Sequence, residues 1–388
     1  MKKLQLKVGL LLLAATLFSH ITFAQLIHLE EDGNKLQVQK MVATTSVKDQ
    51  GRTGTCWSFS TTSFIESEAL RQGKGEHDVS EMYFVRHNYP AKAKHYVRMQ
   101  GYANFGQGSL SHDVTNIVKK HGIMPEEAYD GKKGEGEYDH SELIGVLKGF
   151  LEGVVEGKNA KPTEHWTKAF DRVLDTYLGD LPENFDYKDK KYSPKAFADE
   201  VLAFDPSNYI EITSYEHQPF YEKLVLEVPD NWASASYYNL PIDELEAVMD
   251  NAIDKGYSIA WDGDVSEKSF SHKKGMAIVP ELDWDEMSKS DKKHIFDEVI
   301  KEKEITQDMR QETYEDYSTT DDHLMHIVGL IVDGNGTKYY VTKNSWGAES
   351  NDFGGYLYMS RAYNRLKCVA IMVHKDAVPE SLKKKLKI

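Results

Sequence analysis

Cysteine is scarce in this 388-residue chain: there are two, Cys56 and Cys368, so one disulfide at most can form. Positive charge is short as well. Against 62 Asp and Glu stand 47 Lys and Arg, a net charge of −15, and this balance disfavours nucleic-acid partners. The one basic run, Lys383 to Lys387, is terminal and reads as the solubilising end of a fraying helix. Beyond the first residues no apolar stretch approaches the about 18 needed to cross a bilayer, which leaves no membrane anchor. Internal repeats and low-complexity linkers are also missing, so one integrated domain is expected.

The N-terminus has its own pattern. Met1 to Lys7 is basic, Val8 to Phe18 is almost wholly apolar, and Thr22-Phe23-Ala24 offers small residues at cleavage positions. Residues 1–24 read as a signal peptide cut after Ala24, and the mature protein, residues 25–388, as exported to a periplasm or the extracellular space. The apolar core is too short for an anchor and ends in Ser19-His20. No cysteine follows it to carry a lipid. Loss of Lys2, Lys3 and Lys7 takes the net charge from −15 to −18, and such acidity keeps an exported protein soluble.

The richest stretch is Gln50-Gly51-Arg52-Thr53-Gly54-Thr55-Cys56-Trp57-Ser58-Phe59-Ser60. A glycine-rich turn feeds a helix expected to start near Cys56, where unpaired backbone N–H groups and the helix dipole favour an anion, so the thiol is expected to ionise near neutral pH. Gln50 can aim its amide N–H at the oxygen that gains charge when sulfur attacks a carbonyl. The base such a thiol needs lies in Asp321-Asp322-His323-Leu324-Met325-His326-Ile327-Val328-Gly329, a polar start running into a buried strand. His323 is the first candidate and His326 its competitor. Three positions apart on a strand, the two rings face opposite ways, so only one can face Cys56. Asn344, in Lys343-Asn344-Ser345-Trp346-Gly347, could accept the imidazole N–H and fix its tautomer, with Trp346 shielding that bond from water.

These three blocks, in this order, resemble the papain superfamily (clan CA) of cysteine peptidases. The resemblance implies Cys56 as nucleophile, His323 as general base and acid, Asn344 as orienter and Gln50 as oxyanion donor. It favours His323 over His326, because the family places a glycine six residues after its histidine, as Gly329 lies after His323. It also implies an α+β architecture of two lobes, a helical left lobe starting at Cys56 and an antiparallel right lobe holding His323 and Asn344, with the cleft between them. Phe105-Gly106-Gln107-Gly108-Ser109 is similar to family segments that pair with an extended peptide, which makes Gly106 and Gly108, together with Trp346, candidate substrate-binding residues; ordinary turn glycines are the alternative.

Within the superfamily, Tyr238-Asn239-Leu240-Pro241-Ile242-Asp243, the run Gly256 to Val265, the closing Val378-Pro379-Glu380 and Thr53, where secreted papain-type enzymes carry a disulfide cysteine, resemble the bleomycin hydrolase and aminopeptidase C branch. That branch implies an aminopeptidase, peptide substrates, no cofactor and a possible homo-oligomer. Its members extend a C-terminal tail into the cleft, and the ending Lys383 to Ile388 reads as a shortened one, so endopeptidase action through an open cleft is an alternative. A non-catalytic peptide-binding protein on the same fold is another. The 25 residues between Ala24 and Gln50 are too few for a folded inhibitory propeptide.

Other features have plainer readings. A Cys56–Cys368 bridge would cap the sulfur that the other groups serve; Cys368, in Cys368-Val369-Ala370-Ile371-Met372-Val373, reads as a buried inert thiol. Residues of about 131–225 read as a helical insertion, with apolar spacing at Leu143, Val146, Leu147, Phe150 and again at Trp166, Phe170, Val173, Leu174. No metal site is expected, since His323 and His326 splay on a strand with no cysteine nearby. Asp333-Gly334-Asn335-Gly336 reads as a hairpin turn, Asp262-Gly263-Asp264 as a loop, and Glu66 and Glu68 as solvated.

Overall fold

The computed structural model describes residues 37–134, 136–157, 161–297 and 299–388. The signal-peptide reading of residues 1–24 lies outside them. Among the described residues no helix is long and apolar enough to cross a membrane.

One helix and one sheet organise the molecule. Helix α1 (Cys56–Arg71) is buried from Cys56 through Ala69, so it is a central rod and not a surface helix with one wet face. Helices α2 (Glu81–Arg98) and α3 (Ser111–His121) flank it. Ser80 caps α2 by accepting from the Tyr83 N–H, which fixes where that helix starts. The sheet begins with β1 (Gln37–Met41), and its centre is β10 (His323–Val332), whose ten residues are nearly all apolar and buried. A continuous apolar run of this kind marks a strand covered on both faces, here by α1 on one side and a second core on the other.

The stretch at 131–225 opens with α4 (Ser141–Val155) and α5 (His165–Leu178), continues through the hairpin β2 (Phe185–Tyr187) and β3 (Lys190–Tyr192), and closes in α6 (Pro194–Ala196), which runs into a wider turn at Phe197–Leu202. Phe170 meets both Phe105 and Phe150 edge-on, and Arg86 pairs with Asp175 at 2.7 Å, so this layer is fastened to α2. Its last part is not helical. Strands β4 (Tyr209–Thr213) and β5 (Lys223–Val225) extend the main sheet, β4 pairing with the strand that contains Cys368.

The remainder is β6 (Ser236–Asn239), α7 (Ile242–Asp254), β7 (Ile259–Gly263), β8 (Phe270–Ser271), β9 (Met276–Ala277), α8 (Lys289–His294), α9 (Gln307–Glu315), β11 (Lys338–Lys343), β12 (Tyr356–Ser360), α10 (Arg361–Lys367), β13 (Cys368–His374) and α11 (Glu380–Leu386). The eleven strands run β5-β6-β4-β13-β7-β10-β11-β12-β9-β8, with β1 added on β10, and are mostly antiparallel. The architecture is α+β, a helical lobe against an antiparallel lobe. Asp333 accepts from the N–H groups of Asn335 and Thr337, making the turn between β10 and β11.

Two expectations fail here. Asp262-Gly263 is the end of β7, not a loop, and Asp262 is 5% exposed. Glu66 and Glu68 are not solvated but almost fully buried, because α1 is covered all round. Glu66 accepts from Thr45 and the Val79 N–H and faces Lys48, and Glu68 receives Arg71 and the Tyr209 hydroxyl. Each buried carboxylate is thereby matched to a cation or donor, as burial requires.

Candidate active site

Cys56 is the first residue of α1, at the end of the helix whose N–H groups lack intrahelical acceptors, and Thr55 makes no side-chain cap there. The backbone N–H of Leu324 faces its sulfur, which sets the thiol against the first residues of β10. His323 opens that strand. Its Nε2 lies 2.7 Å from Asn344 Oδ1, an atom that can only accept, so Nε2 carries the proton and Nδ1 is left as the base. Asn344 Oδ1 also accepts from the Ser345 N–H at 2.8 Å, which fixes the amide's orientation. The Trp346 ring lies 4.9 Å from the His323 ring and covers that hydrogen bond.

Gln50 is tied to the same corner. Its N–H donates to the Ser345 carbonyl at 2.8 Å, and its Oε1 accepts from Ser345 Oγ at 2.7 Å. Nε2 donates one hydrogen to the Thr53 carbonyl at 2.6 Å, leaving the second for a ligand. The turn needs Gly51: it sits at φ +58°, and a Cβ there would stand 2.5 Å from the Tyr138 carbonyl oxygen.

The electrostatics depart from expectation. Burial pushes the Cys56 thiol up to about 12, Asp321, Asp262 and Asp230 add to that, and only the Leu324 N–H opposes them. Burial likewise pulls His323 down to about 4, against the raising effect of Asn344. Both shifts run toward thiol and neutral imidazole and against the expected thiolate, because desolvation outweighs the helix terminus. His326 is turned away to bond Ser63 at 2.9 Å across to α1. Cys368 is buried in β13, and both cysteines are free thiols.

Two neighbours escaped the sequence reading. His272 accepts from Asn344 Nδ2 at Nδ1, 3.2 Å away, and its Nε2 lies 2.7 Å from Ser350 Oγ. Lys343 is buried beside Asn344, bonded to Ser63 at 2.7 Å and Thr45 at 3.1 Å, and burial lowers it to about 8. Neither carries a signal in the sequence: His272 sits in a polar loop, and Lys343 looks like an ordinary strand-end lysine. Of the candidate glycines, Gly108 lies under Asp230, whose Oδ2 would be 1.8 Å from a Cβ there, whereas Gly106 has open space. Gln107 holds the entry turn, its carbonyl accepting from Trp57 Nε1 at 2.9 Å and its Oε1 from the Gly54 N–H at 2.8 Å.

A thiol at a helix start, an imidazole held by a side-chain amide and a second amide on the preceding turn, set between a helical and an antiparallel lobe, define a papain-superfamily site. The match to the Peptidase C1-like family model over residues 103–388 gives the particular affiliation: the chain belongs to that family of cysteine-type peptidases. It is 26% identical over 307 residues to aminopeptidase C of Lactobacillus helveticus, covering 70% of this chain and 62% of that one. Against aminopeptidase W of Lactobacillus delbrueckii subsp. lactis the identity is 21% over 379 residues, covering 87% and 83%. The crystal structure of PepW from Lactobacillus rhamnosis HN001 superposes with a TM-score of 0.72 at 17% identity, over 93% of this chain and 86% of that one, and so shares the fold.

Proposed function

We propose that the protein is an exported cysteine peptidase that removes residues from the N-termini of peptides. The observation that carries this reading is the His323–Asn344 bond at 2.7 Å, with the sulfur of Cys56 facing the very next backbone N–H of the same strand. The relatives named aminopeptidase C and W support action at the N-terminus.

In this reaction Cys56 passes its proton to Nδ1 of His323 as sulfur attacks the peptide carbonyl. The free hydrogen of Gln50 Nε2 and the Cys56 backbone N–H hold the resulting oxyanion. The imidazolium gives its proton to the departing amine, leaving an acyl-enzyme on Cys56, and neutral His323 then activates the water that releases the acid. Asn344 keeps the ring in the tautomer that both steps need.

A mixed peptide library, digested by the wild type and by Cys56→Ala and read by mass spectrometry, tests the proposal. Stepwise loss of N-terminal residues with wild type alone is the expected result. Internal cuts would replace the aminopeptidase by an endopeptidase, and no Cys56-dependent change would leave a peptide-binding protein. Export is tested separately: cell fractionation should recover a chain beginning after Ala24 outside the cytoplasm.

A further inference from the structure

Asp262 is a buried carboxyl that the proposed chemistry does not use. On β7 it stands opposite Leu324 of β10 and beside Ala370 of β13. Residues directly opposite share a face, and Leu324, Ala370 and Ala260, two positions back on β7, all belong to the core against the helical lobe. Asp262 therefore points toward the helical lobe, to the side where Cys56 meets Leu324. Both of its oxygens, and Oδ2 of Asp321 two residues before His323, are buried with no backbone, amide, hydroxyl or cationic donor among the described residues, and the two carboxyls face each other. Buried carboxylates are ordinarily paired with a cation or donor; here burial, and then the Asp321 charge, hold Asp262 well above the usual carboxylate range, and a cation seated beside the two would let both ionise.

A third carboxyl closes the same side. Asp230 lies over Gly108 and accepts from Asn104 at 2.8 Å. Its loop is fastened down by Trp232, whose Nε1 donates to Ser109 Oγ at 2.9 Å and Asp113 Oδ2 at 3.0 Å. The nearby cation, Lys92, is taken up by Asp230 at 3.4 Å and by the Gly108 carbonyl. His112 is already held by Glu211 at 3.1 Å, and Asp322 by the Thr320 hydroxyl at 2.9 Å. With its carbonyl occupied and its open face covered, Gly108 offers no edge along which a peptide could run on.

We infer that Asp262 and Asp321, closed off by Asp230, form the subsite for a positively charged substrate nitrogen, the free α-ammonium of the residue whose carbonyl Cys56 attacks. This rests on the peptidase reading above and deepens it. An α-nitrogen is separated from the attacked carbonyl carbon by Cα alone, so groups beside the sulfur are beside it too, and a desolvated ammonium needs a carboxylate partner.

The test compares three substrates: leucyl-7-amido-4-methylcoumarin, its N-acetyl form, and N-acetyl-arginyl-leucyl-7-amido-4-methylcoumarin. The wild type should prefer the free amine over its acetylated form by about 100-fold or more in kcat/KM. Asp262→Asn and Asp321→Asn should each lower the free-amine value about 10- to 100-fold and shrink the preference. Alkylation of Cys56 by iodoacetamide should be as fast as in wild type or faster, since a carboxyl that raises the thiol is removed. Equal cleavage of free and acetylated leucyl substrates by wild type, which needs no variant to fold, would overturn the subsite. So would an unchanged preference in variants that still cleave. A preference for the acetyl-arginyl substrate that the variants lose would assign the carboxylates to a side-chain cation and overturn the α-ammonium. Failure of all three substrates to show Cys56-dependent cleavage would overturn the peptidase reading, and the subsite with it.

Discussion

At the scale of single residues, the ionisation of the site sets its pH behaviour. His323 is held below its usual range and Cys56 above it, so the competent substrate-free form is neutral at both, and it is lost on the acid side when His323 gains a proton. The acid limb of kcat/KM is thus expected to report His323 at about pH 4, and the basic limb Cys56. Asn344 raises His323, so Asn344→Ala should move the acid limb to lower pH while reducing kcat about 10- to 100-fold. An acid limb that stays in place would separate the amide from the imidazole. Cys56, His323, Asn344 and Gln50 were legible in the sequence because each sits in a short motif whose spacing carries chemistry. Asp262 was not. Its neighbours Gly263 and Asp264 give the local composition of a turn, and only pairing with β10 and β13, strands far along the chain, makes it a buried strand residue.

At the scale of elements, α1 and the strand pair β10–β11 are joined by polar side chains behind the candidate site. Ser60 donates to the Met325 carbonyl at 2.7 Å, His326 meets Ser63, and Lys343 reaches the same Ser63. This joint keeps Cys56 in register with His323. His326 lies deep in it, and burial holds it neutral, well below 6.5. The unfolded chain takes up a proton there as pH falls below about 6.5 and the folded chain does not, so the stability contributed by neutral His326 is full above that value and is lost as pH drops through it. In His326→Asn that part of the pH dependence should vanish. Urea midpoints of the two proteins measured between pH 8 and pH 5 check this: the gap between them must shift in the variant's favour toward acid, and a constant gap would contradict the assignment. The apolar run of β10 announced a covered strand, and α4 and α5 were visible from their spacing. The burial of Glu66 and Glu68 was hidden, since a helix enclosed on all sides has no wet face for its charges to mark.

At the scale of the whole molecule, the helical layer at 141–178 braces α2, which carries Lys92 to the Gly108 corner. Phe170 is 1% exposed and touches rings from both α4 and the Phe105 turn. Phe170→Ala should cost about 3–5 kcal/mol, read as a lower denaturation midpoint. A loss under about 1 kcal/mol would show that this layer is only loosely seated. The two-lobe plan followed from motif order, whereas β4 and β5, which continue the main sheet out of a stretch that reads as helical, depend on pairing with β13 and β6 that local pattern does not encode.

The most direct measurement is of the two thiols together. Iodoacetamide labelling of wild type and His323→Ala, followed by peptide mass spectrometry, compares Cys56 with Cys368 in one reaction. Cys56 is expected to be alkylated stoichiometrically while Cys368 is spared, and removing the imidazole to slow Cys56 by about tenfold or more. Equal labelling of the two cysteines, or a Cys56 rate indifferent to His323, would contradict it.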